Sequence, residues 1–167
     1  IKKRFKSNTL IFIGLISNQK GMSDNVFFFK TLNKFPKNNY KFILLGKKKT
    51  DEYDIFLKSK NIFYHGFVND KIEINKMINK SKFLILFSKH EGMARAPLEA
   101  MRNYVPVITN GVGTENYCNE NNSLMDINLN NLIKKLNELN YEDYYKMSIE
   151  AFKTANKFNG NESPVIR

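Results

Sequence analysis

The chain has 167 residues, enough for one domain with a real core, and its 42% apolar and 26% charged content is that of a globular protein. The net charge of +11 comes from lysines scattered along the chain, with small runs at Lys2-Lys3-Arg4 and Lys47-Lys48-Lys49; without aromatics concentrated beside them they read as a solvated surface, not a nucleic-acid interface. The single cysteine, Cys118, excludes a disulfide framework, and no apolar run nears the roughly 18 residues of a membrane helix, so the chain reads as soluble and from a reducing compartment.

Ile1 to Ser7 is a basic lead-in that reads as an interdomain linker over 1–8, and a first residue other than Met marks the chain as part of a longer protein. Thr9 to Leu15 is the first buried strand, followed by a polar loop, Ile16 to Asp24. Asp24 or Asn25 is placed to cap a helix reaching about Phe35. Tyr40 to Gly46 is a second strand, Asp51 to Lys60 a helix, and Ile62 to Tyr64 a short third strand ending at His65-Gly66-Phe67-Val68. Asp70 opens a helix to about Asn79. Phe83 to Phe87 is apolar throughout, the pattern of a strand buried on both faces.

The loop Lys89-His90-Glu91-Gly92 follows, and then a helix with Pro97 in its first turn and Leu98, Met101 and Arg102 at helical spacing. Val105 to Thr109 is another buried strand, ending in the turn Asn110 to Thr114. Ser123 to Met125 is a last short strand, and Leu129 to Leu139 and Tyr141 to Phe158 are amphipathic helices. The tail 159–167 has no periodicity and leads toward the missing part. The alternation makes 9–158 an α/β domain, a Rossmann-like doubly wound parallel sheet of about six strands with helices on both faces.

Ligands of such sheets bind in loops at the carboxyl ends of the strands. Glu91 stands in such a loop, and Glu99, eight residues on, is expected in the first helical turn, so both carboxylates can face one crevice. Carboxylates accept hydrogen bonds in pairs, which suits the hydroxyls of a sugar or ribose, and the helix N-terminus beside them suits phosphate. The bland readings are a solvated loop acid for Glu91, a helix cap for Glu99 and a surface cation for Lys20. His90 is a candidate for lining the site, Ser17 for the phosphate loop, and Cys118 reads as inert. No HExxH, Asp-x-Asp or GxGxxG is present, so neither a metal nor a dinucleotide is expected.

Glu91-Gly92, Pro97-Leu98-Glu99-Ala100-Met101 and Val105-Pro106-Val107-Ile108 together resemble the donor-site signature of family-four retaining glycosyltransferases of the GT-B fold. The resemblance extends to Ile11–Gly21, similar to the family's first-strand motif, and to Tyr64–Val68, similar to its FxGFV segment. It implies one half of a GT-B enzyme, its C-terminal donor-binding domain. Such an enzyme would transfer a hexosyl unit from a nucleotide-diphosphate sugar, UDP- or GDP-linked, to a hydroxyl with retention. No further cofactor is implied.

By the same resemblance Glu91 would hold the donor sugar, and Gly92, Met93 and Ala94 would present backbone to sugar and phosphate. Glu99 would take the ribose, Lys20 the diphosphate, and Phe67 the nucleobase, while Gly14 would let the backbone approach the diphosphate. Glu91 and Lys20 would be the catalytic pair. Three positions depart from the pattern: Leu15 replaces the usual Arg, Arg95 stands where an apolar residue is more typical and is a candidate to restore the charge, and Thr114 replaces a common Gly. The acceptor, a sugar or lipid-linked sugar, would belong to a missing N-terminal domain. Cell-surface polysaccharide or glycolipid synthesis, at a cytoplasmic site that includes the inner membrane face, is the implied setting. An inactive binding module, which Leu15 favours, and a GT-B epimerase or phosphorylase stay open as alternatives.

Overall fold

A computed structural model describes residues 1–35 and 38–158, so the expected tail 159–167 lies outside the described residues. Six parallel strands form one sheet in the order β3-β2-β1-β4-β5-β6, with bounds β1 Thr9–Ile13, β2 Lys41–Leu45, β3 Ile62–Tyr64, β4 Phe83–Leu86, β5 Val107–Thr109 and β6 Ser123–Met125. This is the doubly wound α/β sheet that the sequence predicts.

The period-two alternation of strand side chains explains the apolar runs. Leu10, Phe12, Phe42, Leu44, Phe83, Ile85 and Ile108 bury into one face, under α2 (Met22–Leu32), α3 (Asp54–Leu57) and α6 (Leu129–Glu138). Ile11, Leu45, Leu84, Leu86 and Val107 bury into the other, under α4 (Lys71–Lys80) and α5 (Arg95–Arg102). The last helix, α7 (Tyr141–Lys157), contributes Tyr144 and Met147 to the first core and Ala151 and Ala155 to the second. The basic lead-in carries one helical turn, α1 (Lys2–Phe5), whose Phe5 ring packs on Tyr141 and Tyr144.

Three helices differ from their expected bounds. Neither Asp24 nor Asn25 caps α2. Gly21, in the left-handed region at φ 68°, is its N-cap, and buried Asn25 turns its amide back to donate to Gly21 O at 2.9 Å. The helix expected over Asp51 to Lys60 is a 3-10 turn, Asp51–Tyr53, followed by the single-turn α3, because Ser59 to Asn61 must turn the chain into β3. Helix α5 starts at Arg95, so Glu99 is its fifth residue and stands in the second turn. By contrast Asp70 caps α4 as expected, its carboxylate accepting from Ile72 N at 2.8 Å.

Candidate functional site

The strand order reverses between β1 and β4, and a crevice opens there beyond the carboxyl ends. Loops following β1, β4 and β5 border it. A space of about 500 Å³ is lined by Gln19, Lys20, Lys89, His90, Glu91 and Gly92, with Val112 from the third loop.

Lys20 ends a 3-10 turn, Asn18–Lys20, that Ser17 caps by accepting from Lys20 N. Its Nζ donates to Glu91 Oε2 in an ion pair that joins residues 71 apart in the chain. Ser88 Oγ donates to the same oxygen at 3.2 Å. Among the described residues nothing donates to Oε1, which leaves that oxygen as an acceptor for a ligand hydroxyl.

The Glu91 loop is fixed from below. Asn110 Nδ2 donates to Ser88 O at 3.0 Å, and Ala94 N donates to Gly113 O at 2.9 Å. Buried Tyr117 donates to Ala94 O at 2.6 Å, with Gly113 O at 3.3 Å. Gly113 has φ 78°, and a Cβ on it would lie 2.4 Å from Glu91 Cγ. Only glycine lets the turn pass so close behind the carboxylate. Thr114, looser than the expected pattern in sequence, is wholly buried and locks this turn by donating to Gly111 O at 2.8 Å. Burial pushes the Tyr117 phenol well above its ordinary pKa, with Cys118, Glu91 and Glu115 adding to the shift. Burial also pushes the Cys118 thiol up to about 11, so it stays neutral and unreactive at physiological pH.

The structure thus brings Lys20, Glu91 and Gly92 together, with His90 lining the same crevice. Other expected residues lie apart from that lining. Glu99 is exposed on α5 and does not cap it, which removes the capping reading. Arg95 is the exposed first residue of α5. Met93 is partly buried, and the Ala94 N–H, expected to be free for a ligand, is already bonded to Gly113 O. Gly14 closes β1 by donating to Leu45 O at 2.9 Å. Phe67 is 64% exposed beyond β3, with Lys47 Nζ 5.2 Å above its ring. Leu15 is 37% exposed. Buried Ser17 serves the turn itself rather than presenting its hydroxyl.

The sequence reading missed Ser88, Lys89, Asn110, Gly113 and Tyr117. All but Lys89 act by holding the site, and none falls in a periodic pattern that would single it out. Among the described residues no three His, Cys, Asp or Glu side chains cluster as a metal would need, and no helix is long and apolar enough to cross a membrane.

A family model described as glycosyl transferases group 1 matches residues 1–151. The chain belongs to that family. Among solved structures it is similar to the C-terminal domain of a group 1 glycosyl transferase, LpcC, from Francisella tularensis, with 20% identity and TM-score 0.74 over 91% of this chain and 86% of that one. It is also similar to TarM, at 17% identity and TM-score 0.75 over 91% of this chain and 32% of that one. The pneumococcal O-GlcNAc transferase GtfA, solved with UDP and GlcNAc, matches at 15% identity and TM-score 0.75 over 94% of this chain and 33% of that one. S. aureus TarM has likewise been solved, as a variant, with UDP and α-GlcNAc-glycerol. The chain therefore spans about a third of TarM and of GtfA, and its fold is that of a GT-B glycosyltransferase domain. No curated protein matches it.

Proposed function

We propose that this chain is the donor-binding half of a family-four retaining glycosyltransferase. The whole enzyme moves a hexosyl unit from a nucleotide-diphosphate sugar, UDP- or GDP-linked, to a hydroxyl of a sugar or lipid-linked sugar. The observation that carries this reading is the Lys20–Glu91 pair at the switch point of the sheet. It sets a cation for phosphate and a carboxylate for hydroxyls side by side in one crevice. The UDP and GlcNAc found with related folds support the same ligand class.

In this reading the diphosphate takes Lys20 and the Gly92-Met93 backbone, and the donor sugar takes Glu91. The ribose reaches toward Glu99 and the base toward Phe67. The N–H groups of Arg95 and Ala96, which head α5 and have no intrahelical acceptor, add donors for phosphate. Gly14 lies under the diphosphate path. Catalysis is positioning plus stabilisation of the charge that grows on the departing diphosphate, carried by Lys20. Glu91 orients the sugar while the leaving group departs. An N-terminal domain supplies the acceptor, in cell-surface polysaccharide or glycolipid synthesis on the cytoplasmic face of a membrane, where the +11 charge favours anionic lipid.

The test is calorimetric titration of the chain with UDP, GDP, ADP and CMP, beside Lys20→Met and Glu99→Ala. Saturable binding of one nucleotide, weakened about tenfold or more by either substitution, is expected. Binding of none of them by the wild-type chain overturns the reading.

A further inference from the structure

We propose that Lys89 is a second cation for the donor diphosphate, held in place by a chain of side chains that reaches back to Tyr53. The inference rests on the donor-binding reading and deepens it.

The crevice contains two lysines in different electrostatic states. Lys20 Nζ is paired with Glu91, so together they add no net charge. Lys89 Nζ donates instead to a neutral acceptor, Asn18 Oδ1, at 2.8 Å, and among the described residues it has no carboxylate within ion-pair distance. The lining side chains Lys20, Lys89 and Glu91 therefore leave one positive charge uncompensated, and it belongs to Lys89. An ammonium has three donors; Asn18 takes one and two remain for phosphate oxygens. An incoming diphosphate can meet Lys89 without first breaking an ion pair, whereas Lys20 must exchange Glu91 for phosphate.

The position of Lys89 is built rather than incidental. Its N–H donates to Gln19 O at 3.0 Å, which docks the β4 loop on the β1 loop. Asn18 Oδ1 accepts from Lys89 Nζ and also from Ser23 Oγ at 3.2 Å. Ser23 Oγ lies 3.2 Å from Tyr53 Oη. With the serine hydrogen directed at Asn18, the Tyr53 hydroxyl is the donor to Ser23. The series Tyr53, Ser23, Asn18 so fixes which end of the Asn18 amide faces the lysine. A lysine already held loses less rotamer freedom when a ligand binds. Arg95, the other cation considered for this task, is not among the residues lining the crevice.

The test compares UDP, GDP and ADP, each beside its own nucleoside, on the wild-type chain and on Lys89→Met, Lys89→Arg, Asn18→Ala and Arg95→Met. Lys134→Met, at an exposed position of α6, controls for loss of one charge from a basic chain. For the base that binds, Lys89→Met is expected to weaken the diphosphate about tenfold and leave the nucleoside unchanged. Lys89→Arg keeps most of the affinity, and Asn18→Ala gives a smaller loss in the same direction. An unchanged diphosphate-to-nucleoside ratio in Lys89→Met overturns the assignment and leaves the donor-binding reading intact. So does an equal loss in Lys134→Met, or a loss confined to Arg95→Met. Failure of the wild-type chain to bind any diphosphate removes the donor-binding reading and this inference with it.

Discussion

Two groups of loops share the carboxyl edge of one sheet and are built on opposite plans. Those after β1, β4 and β5 are sewn together by Lys89 N to Gln19 O, Ala94 N to Gly113 O, Asn110 to Ser88 and Tyr117 to Ala94. Those after β2 and β3 are joined mainly through backbone, with Gly46 N donating to Gly66 O at 2.7 Å and the Tyr64 hydroxyl to Gly46 O at 3.1 Å, while Lys48 spends its charge locally on Asp51 and Asp54. His65 is exposed there and Phe67 is 64% exposed. On the donor-binding reading, the difference follows from what each group would hold. Charged groups act on a ligand only when their geometry is fixed beforehand, and fixing it takes committed hydrogen bonds. A ring that stacks on a flat base needs only to be available.

The sharpest way to break the sewn side is Gly113→Ala. The left-handed backbone there costs about 1–2 kcal/mol for any residue with a Cβ. The new carbon also runs into Glu91 Cγ and Cβ, at 2.4 and 2.5 Å, and overpacking of this kind costs about 1–3 kcal/mol more. Thermal melting is expected to show a drop of several degrees or more. Because the clash falls on Glu91, nucleotide-sugar binding is expected to fail even at temperatures where the variant is folded. A variant that melts early yet binds normally would separate Glu91 from the ligand.

Tyr117→Phe tests the same side with a smaller change. It leaves the buried Ala94 carbonyl without the hydroxyl and costs about 1–3 kcal/mol. The cost should depend on pH. The folded-state pKa of Tyr117 is raised by burial, so its contribution is fully present below the ordinary tyrosine value near 10 and is lost as pH rises above it. The gap in melting temperature between wild type and Tyr117→Phe is therefore expected to be full at pH 8 and to narrow above pH 10. Cys118, at about 11 against an ordinary 9, makes both proteins lose stability over the same alkaline range. A gap that widens above pH 10 would contradict the burial of the phenol.

The sheet was legible because its strands are buried on both faces and read as unbroken apolar runs, as at Phe83 to Phe87. Glu91 was legible from its place after such a run. Lys20 was reached only through the family resemblance, and its ion pair with Glu91 was not legible, since nothing local ties residues 71 positions apart; only the strand order brings β1 and β4 side by side. Helix starts were read poorly where a backbone conformation decides them. Gly21 starts α2 through a left-handed φ, and α5 begins two residues before Pro97, which moved Glu99 out of the first turn. Tyr117 and Asn110 were invisible for another reason. They act by bonding to backbone carbonyls, and any residue offers such a carbonyl, so no pairing of residue types marks them.

The open side predicts small effects on stability. Gly66 has φ 68°, close to that of Gly113, but a Cβ there would meet nothing within 4 Å. Gly66→Ala should therefore cost only the backbone term, about 1–2 kcal/mol, with no effect on Glu91. Phe67→Ala removes a ring that is mostly in water, and its melting temperature should match wild type, a change within about 0.5 kcal/mol. If the ring stacks on the base, the same substitution weakens a nucleoside and its diphosphate alike, by about tenfold, since one stacked base is worth about 1–3 kcal/mol. That pattern is the complement of the one expected at Lys89, where only the diphosphate is lost. Equal losses for nucleoside and diphosphate at Phe67, beside a selective loss at Lys89, would resolve the ligand into its two ends. No loss at Phe67 would leave the exposed ring to the surface, with Lys47 above it, and would move the base elsewhere along the edge of the sheet.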